Sequence, residues 1–184
     1  MKSRVLIGLG ILGGVAVAAL LILRVFGLAR PFSVPTGAMS PTISPGDHVL
    51  MEGVTFLVRK PRRGEVIVFK TDSIASLPAG QFWIKRVAGV PGDRLGISGG
   101  KLYINDKHVA LSNEVGEISY LLPTGAERMA PLTNVTVPIG LYYVLGDNAT
   151  NSYDSRFWGF VPAKNILGRV AFCYWPSERV GGVR

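Results

Sequence analysis

The sequence is poor in the residue types that build disulfide frameworks and metal centres. It contains one cysteine, Cys173, and two histidines, His48 and His108. A single cysteine excludes an intrachain disulfide, and its neighbours Phe172 and Tyr174 indicate a small buried side chain. Two histidines without a carboxylate cluster around them predict neither a metal site nor a cofactor.

Long stretches of helical periodicity are also lacking after residue 31. Short apolar runs recur instead, separated by turns rich in glycine, proline, asparagine and aspartate. We therefore predict a mainly β domain over residues 31–184. The apolar runs that predict strands lie at residues 48–51, 65–69, 82–87, 101–104, 141–145 and 166–174.

A hairpin and an insert are predicted within this domain. Residues 102–109 favour a hairpin that turns at Asn105 and Asp106. The sequence becomes polar and turn-rich between Asn113 and Pro138, a stretch too short to bury a core of its own. We predict a β core of about residues 31–96 and 139–178, which carries an insert of about residues 97–138.

One hydrophobic run stands apart from the rest of the chain. Residues 5–23 contain no charge and no strongly hydrogen-bonding side chain. Nineteen residues at about 1.5 Å rise each span roughly 28 Å, close to the thickness of a hydrocarbon core. The apolar part of a cleaved signal peptide is shorter, about 7–15 residues. We therefore predict a single N-terminal transmembrane helix within residues 1–30.

The charges that flank this run are almost balanced. Lys2 and Arg4 precede it, and Arg24 and Arg30 follow it. The positive-inside rule therefore favours a cytoplasmic N-terminus only weakly.

A dense basic cluster lies at residues 59–63, in a chain of net charge +8. Attraction to an anionic membrane surface explains such a cluster beside an anchor. No zinc-ligand spacing, aromatic RNA-binding motif or helix-turn-helix pattern accompanies it, so we do not expect nucleic acid as a partner. A tethered binder of nucleic acid or anionic lipid is the alternative, which salt-dependent retention on heparin would detect.

Two segments near the start of the domain draw attention. In residues 34–43 the prolines and Gly37 predict an irregular, exposed strand. In residues 83–93 Lys85 lies on a predicted strand whose two faces are both mostly apolar. Burial without a carboxylate partner would lower the pKa of Lys85 and suit it to act as a general base. A lysine that reaches the surface through its long stem is the alternative.

A third segment, residues 146–162, packs polar side chains densely before an aromatic-glycine turn. Asp154 and Arg156 could pair on one face if the chain is extended there. Taken alone, the segment is equally typical of an ordinary turn.

Together the three segments resemble the type I signal peptidases. That family carries a Pro-Ser-x-Ser-Met-x-Pro-Thr box after its anchor, a lysine box of the form I-K-R-x-x-G-x-P-G-D, and a Gly-Asp-Asn box that ends in Ser-Arg-x-Trp-Gly. Residues 35–42, 84–93 and 146–159 match them in the same order. The resemblance implies a mainly β, single-pass protein with its N-terminus in the cytoplasm and its catalytic domain on the outer face of a bacterial cytoplasmic membrane. Its implied partners are signal peptides of exported pre-proteins, that membrane and the export translocon.

The resemblance also assigns roles to individual positions. It implies a general base, an oxyanion hole, a supporting polar group and a substrate-binding surface. These fall on Lys85 for the base, Thr36 and the N–H of Ala38 for the oxyanion hole, Ser152, Asp154 and Arg156 for support, and Met39, Pro41 and Ile84 for substrate binding.

One departure from the family concerns the nucleophile. The family's serine before the methionine is Ala38 here, and a methyl group cannot attack a carbonyl. Ser40 could substitute, but in an extended chain it lies about 6–7 Å farther along, too far for attack geometry. An active-site substitution and a natural paralogue that has lost the reaction remain as the other two accounts.

Overall fold

The computed structural model describes residues 27–113, 115–121 and 134–183, with residues 14–15, 17–18, 21–22 and 24–25 before them. Most of the predicted transmembrane helix, residues 5–23, therefore lies outside the described residues. Those described before Gly27 are helical, and no described helix is long and apolar enough to cross a membrane. Five apolar side chains of this stretch are exposed: Val15, Val17, Leu21, Ile22 and Val25.

Short strands dominate the described residues from Gly27 onwards, which also contain two one-turn α-helices and three 3-10 turns. The strands are β1 Ala29–Ser33, β2 His48–Glu52, β3 Val66–Lys70, β4 Phe82–Gly89, β5 Arg94–Ser98, β6 Lys101–Ile104, β7 Lys107–His108, β8 Ser112–Asn113, β9 Gly116–Glu117, β10 Val135–Thr136, β11 Leu141–Leu145, β12 Val161–Pro162, β13 Ile166–Trp175 and β14 Gly181–Gly182. The helices are α1 Thr55–Val58 and α2 Ser155–Trp158, and the 3-10 turns are Ala149–Asn151, Ala163–Asn165 and Ser177–Arg179.

The strands form one large antiparallel sheet and two small ones. The large sheet has the order β1-β2-β13-β3-β4-β11-β12, and β14 pairs with β13. Strand β13, late in the sequence, therefore separates β2 from β3. The second sheet has the order β10-β5-β6-β7, and β8 pairs with β9.

The second sheet packs on the large one through a shared core. Leu95 and Leu102 from the second sheet lie in one buried cluster with Tyr143 and Leu145 of β11. Two further clusters are built largely from β2, β3, β4, β11 and β13. The predicted boundary of the insert, near residue 97, falls inside β5, which pairs with both β6 and β10.

The mainly β fold and the six strands predicted from apolar runs are confirmed. They are β2, β3, β4, β6, β11 and β13, with ends that differ by at most two residues. The hairpin of β6 and β7 turns at Asn105 and Asp106, whose φ angles of 52° and 66° are left-handed. Such angles are typical of the tight turns that match the twist of paired strands.

The prediction of an exposed strand over residues 34–43 is wrong. The chain turns over residues 37–42, where the N–H of Ser40 donates to the carbonyl of Gly37 at 3.1 Å and that of Ile43 to Met39 at 3.0 Å. Met39 and Ile43 are buried. The compact turn brings both apolar side chains into one core cluster, which an extended strand with alternating faces would not do.

Candidate active site

A cavity of about 730 Å³ lies between the turn at residues 37–42 and strand β4. Its lining comprises residues 32–39 and 81–85 together with Asn151 and Tyr153. Five predicted site residues meet there: Thr36, Ala38, Met39, Ile84 and Lys85. Pro41 is not among the lining residues, and its carbonyl accepts a hydrogen bond of 2.8 Å from Arg179.

Lys85 is buried in the middle of β4, with 5% of its surface exposed. Burial lowers the pKa of its ammonium from 10.5 to about 8, and the carboxylates of Asp154 and Asp147 oppose this shift. The lowered pKa predicted from the strand pattern is thus confirmed, although the two carboxylates were not foreseen. Lys85 Nζ lies 5.5 Å from the ring centroid of Trp83, on the same face of the strand. A substantial fraction of Lys85 is therefore neutral near pH 8.

Gly146 allows the third segment to approach the turn closely. A Cβ atom at this position would lie 2.1 Å from Ser152 Oγ and 2.5 Å from the carbonyl oxygen of Ala38. Ser152 is buried, and its hydroxyl has no hydrogen-bond partner within the described part of the chain. An unpaired buried hydroxyl is costly, and Ser152 lies between two residues that line the cavity, Asn151 and Tyr153.

Asn148 ties the third segment to the turn by two hydrogen bonds. Its backbone N–H donates to the carbonyl of Ala38 at 3.1 Å, and its side-chain Nδ2 donates to the carbonyl of Gly37 at 3.0 Å. The peptide units on both sides of Ala38 are therefore held from one residue. The sequence analysis did not single out Asn148, and only its place in the Gly-Asp-Asn box could have pointed to it.

Asp154 and Arg156 form a buried ion pair, with Arg156 Nε donating to Asp154 Oδ1 at 2.8 Å. The pairing that the sequence suggested is thus present, although Arg156 lies in α2 rather than in an extended chain: Asp154 caps the N-terminus of α2 and accepts from the N–H of Arg156. The carboxylate also accepts from the N–H of Gly146 at 3.0 Å. The pair therefore fixes the loop that carries Ser152.

A second buried ion pair was missed by the sequence analysis. Arg86 Nε donates to Asp147 Oδ1 at 2.8 Å, and both side chains are almost fully buried. Thr42 Oγ1 donates to the other carboxylate oxygen of Asp147 at 2.5 Å. One network thus joins a residue from each of the three boxes. Sequence separations of 61 and 105 residues gave no local signal for it.

Among the described residues, no cluster of three or more histidine, cysteine, aspartate or glutamate side chains could hold a metal ion. The site itself presents an amine of lowered pKa, a buried hydroxyl and backbone N–H groups at a tight turn.

Comparison with known proteins assigns the family. The family described as "Signal peptidase, peptidase S26" matches residues 6–175, most of the chain. The chain belongs to the signal peptidase family. The resemblance drawn from the three boxes is therefore confirmed.

Several signal peptidases are similar to this chain. Probable signal peptidase I-2 of Synechocystis sp. is 38% identical over 149 residues, covering 80% of this chain and 64% of that protein. Signal peptidase I of Leptolyngbya laminosa is 34% identical over 171 residues, covering 91% and 79%. Thylakoidal processing peptidase 1 of Arabidopsis thaliana is 36% identical over 159 residues, covering 83% and 44%. The chain thus spans less than two thirds of the first and third of these relatives.

A solved signal peptidase I from Enterococcus faecalis is 30% identical to this chain. The structural match covers 62% of this chain and 99% of the solved chain, with a TM-score of 0.45.

Ser40, which carries one of the two side-chain hydroxyls in the turn at residues 37–42, does not line the cavity. Its Oγ donates to Ser44 Oγ at 3.3 Å. The estimate of its distance from an extended chain does not apply, because the chain turns here. The Ser40 hydroxyl is engaged outside the cavity lining, whereas the Ala38 position lies within it.

Proposed function

We propose that this chain is a membrane-anchored type I signal peptidase with a Ser/Lys architecture, whose nucleophile position holds Ala38. The observation that carries the proposal is that buried Lys85, with a pKa of about 8, and Ala38 line the same cavity. An amine that is partly neutral near physiological pH can remove a proton from a hydroxyl. The arrangement needs one oxygen at position 38 to become a nucleophile–base pair.

With serine at position 38, the reaction follows from the site. Lys85 Nζ takes the hydroxyl proton while the serine oxygen attacks the carbonyl of the substrate residue just before the cleaved bond, the −1 residue. The N–H of residue 38 and the hydroxyl of Thr36 stabilise the oxyanion. The leaving amine takes the proton, and water then hydrolyses the acyl-enzyme. The family resemblance gives Ser152 the role of orienting the lysine during the reaction, and the Asp154–Arg156 pair holds the loop that carries Ser152.

The substrates of this proposal are pre-proteins with small residues at positions −1 and −3. Met39, Ile84 and Pro41 are the proposed substrate-binding residues. The first two line the cavity, which supports their role more directly than that of Pro41.

The proposed location is the bacterial cytoplasmic membrane, with the N-terminus in the cytoplasm and the catalytic domain on the outer face. Support comes from the uncharged run at residues 5–23 and from the exposed apolar residues of the helical stretch before Gly27. The membrane and the export translocon are the proposed partners besides the pre-protein.

Restoring the hydroxyl tests this function. The Ala38→Ser protein should process a pre-protein at the expected site, and Ala38→Ser combined with Lys85→Ala should not. The two members act as a unit, so losing either removes nearly the whole effect. A folded Ala38→Ser protein that leaves the pre-protein intact would contradict the proposal.

Ala38 itself favours a second candidate function, a non-catalytic membrane protein that binds signal sequences. The cavity is present while the nucleophilic oxygen is absent. The unaltered chain should then bind signal peptides with −1 alanine more tightly than peptides with −1 leucine, as isothermal titration would show. Signal-peptide binding by the unaltered chain, together with no processing by the Ala38→Ser protein, would select this candidate over the first.

A further inference from the structure

Helix α1 carries an exposed aliphatic surface that the proposed reaction does not use. None of its residues is buried, and Leu57 and Val58 are 69% and 85% exposed. Across a groove of about 650 Å³ lies Ile139, which is 87% exposed. We call Val54, Leu57, Val58 and Ile139 the α1 face.

This surface lies beside the point at which the chain enters the β domain. The N–H of Gly53, just before α1, donates to the carbonyl of Leu28 at 2.8 Å. A Cβ on Gly53 would lie 3.2 Å from Leu28 Cδ2, so the two segments touch. At the same end of the sheet, Ala29 of β1 pairs with Glu52 of β2. The α1 face is therefore next to the residues that follow the proposed anchor.

The charges around α1 are not all neutralised. Arg59 pairs with Glu65, and Arg63 pairs with Asp93. Lys60 and Arg62 are exposed, and neither has an ion pair within the portion of the chain that the structure describes. The basic cluster at residues 59–63 thus presents two free cations, rather than four, beside the aliphatic surface.

Exposed aliphatic side chains flanked by free cations are typical of a surface that lies in the headgroup layer of an anionic bilayer. We propose that the α1 face rests on the lipid surface, with Lys60 and Arg62 at the anionic headgroups, and so sets the orientation of the β domain on the membrane. This inference rests on the proposed anchor at residues 5–23. It names lipid as the occupant because the anchor delivers this end of the domain to the membrane and the free charges are positive.

Probes at two matched valines test the proposal in the full chain reconstituted in nanodiscs. Val58→Cys and Val115→Cys introduce thiols at positions of similar exposure, 85% and 81%. Val115 lies between β8 and β9, outside the α1 face. The native Cys173 is buried, so the unaltered chain is the labelling blank. An environment-sensitive fluorophore at position 58 should be quenched by spin-labelled lipids, and the one at position 115 should not.

A second experiment varies the charge of the lipid headgroups and of the two cations. Quenching at position 58 should be at least twofold stronger in nanodiscs with anionic phosphatidylglycerol than in zwitterionic ones. Changing Lys60 and Arg62 together to glutamine should remove that difference, without breaking any ion pair seen among the described residues. Quenching at position 58 that is indifferent to both changes would overturn the role of the two cations.

Three other results would overturn the proposal. One is a position-58 probe that is quenched no more than the one at position 115. Another is lipid quenching of a fluorophore attached at Trp175→Cys, at the far end of β13, while the fluorophore at position 58 is not quenched. The third is retention of the protein on heparin that depends on Lys60 and Arg62, while lipids do not quench the fluorophore at position 58. That result would mean that the two cations bind a polyanion other than lipid. Carbonate extraction distinguishes the hypothesis of an anchor at residues 5–23 from the hypothesis of lipid contact by the α1 face. Loss of the chain from membranes under carbonate would refute the anchor itself.

Discussion

The side-chain amide of Asn148 donates a hydrogen bond of 3.0 Å to the carbonyl oxygen of Gly37. That carbonyl and the N–H of Ala38 belong to one planar peptide unit. The orientation of the proposed oxyanion donor is therefore set by a side chain 111 residues away in the sequence.

We expect Asn148→Ala, in the Ala38→Ser protein, to lower kcat about tenfold with little change in KM. The oxyanion donor stays in place but loses its alignment, so the effect should be smaller than the roughly 10²–10³-fold loss that follows removal of a donor. Steady-state kinetics on a pre-protein would measure both constants. Asn148→Asp should lower kcat as well, because an ionised carboxylate cannot donate to the Gly37 carbonyl.

Asn165 is the matched control for this prediction. Its Nδ2 donates to two backbone carbonyls, those of Lys70 and Asp72, at 3.0 and 2.5 Å, and neither carbonyl belongs to the turn at residues 37–42. Asn165→Ala should lower the thermal midpoint without lowering kcat. Equal losses of kcat in the two variants would mean that Asn148 acts only through stability.

The pKa of Lys85 predicts how activity and stability vary with pH. In the Ala38→Ser protein kcat/KM should rise as the pH passes through about 8, because the base must be neutral. The same shift destabilises the fold below the unfolded pKa of 10.5, and in full below about pH 8, because the unfolded chain binds the proton more tightly than the native protein does.

Lys85→Met should therefore stabilise the protein near pH 7, by up to about 3 kcal/mol in the free energy of unfolding. This advantage should shrink as the pH rises from about 8 to 10.5 and vanish at higher pH, where the lysine is neutral in both states. Urea unfolding at several pH values would measure it. An advantage that does not vary with pH would show that the lysine is charged at little cost in the native state.

Gly146→Ala should abolish processing by the Ala38→Ser protein. The added Cβ would meet Ser152 Oγ and the Ala38 carbonyl at 2.1 and 2.5 Å, so one of the two must move. Gly181→Ala is the control, since a Cβ there meets nothing within 4 Å. Comparable activity of the two alanine variants would refute the close approach of the segments.

Variants at Thr36 and Ser40 distinguish a hydroxyl that stabilises the oxyanion from one that takes no part in the reaction. In the Ala38→Ser protein, Thr36→Val should lower kcat about 10- to 100-fold, while Thr36→Ser retains most activity. Ser40→Ala should have little effect, because its hydroxyl bonds to Ser44 and lies outside the cavity lining. Cleavage by the unaltered chain that disappears in Ser40→Ala would instead make Ser40 the nucleophile.

The sequence predicted features that depend on local periodicity and failed where distant segments meet. The apolar residues on both faces of the strand around Lys85 predicted its burial, because neighbouring residues alone determine the faces of a strand. The compact turn before Ile43 could not be foreseen, since its driving force is the burial of Met39 and Ile43 in a core shared with β2, β3 and β13. The Arg86–Asp147 pair is likewise a product of tertiary packing.

Strand β13 lies between β2 and β3 in the large sheet, although it follows them by about a hundred residues in the chain. Until residues 166–175 are present, β2 and β3 have no common neighbour in the large sheet. The cavity is thus a late product of folding, because such long-range pairing forms slowly. A chain that ends before residue 166 would therefore leave the facing edges of β2 and β3 unpaired, so the large sheet and its cavity can be completed only when the last long strand of the sequence has been made.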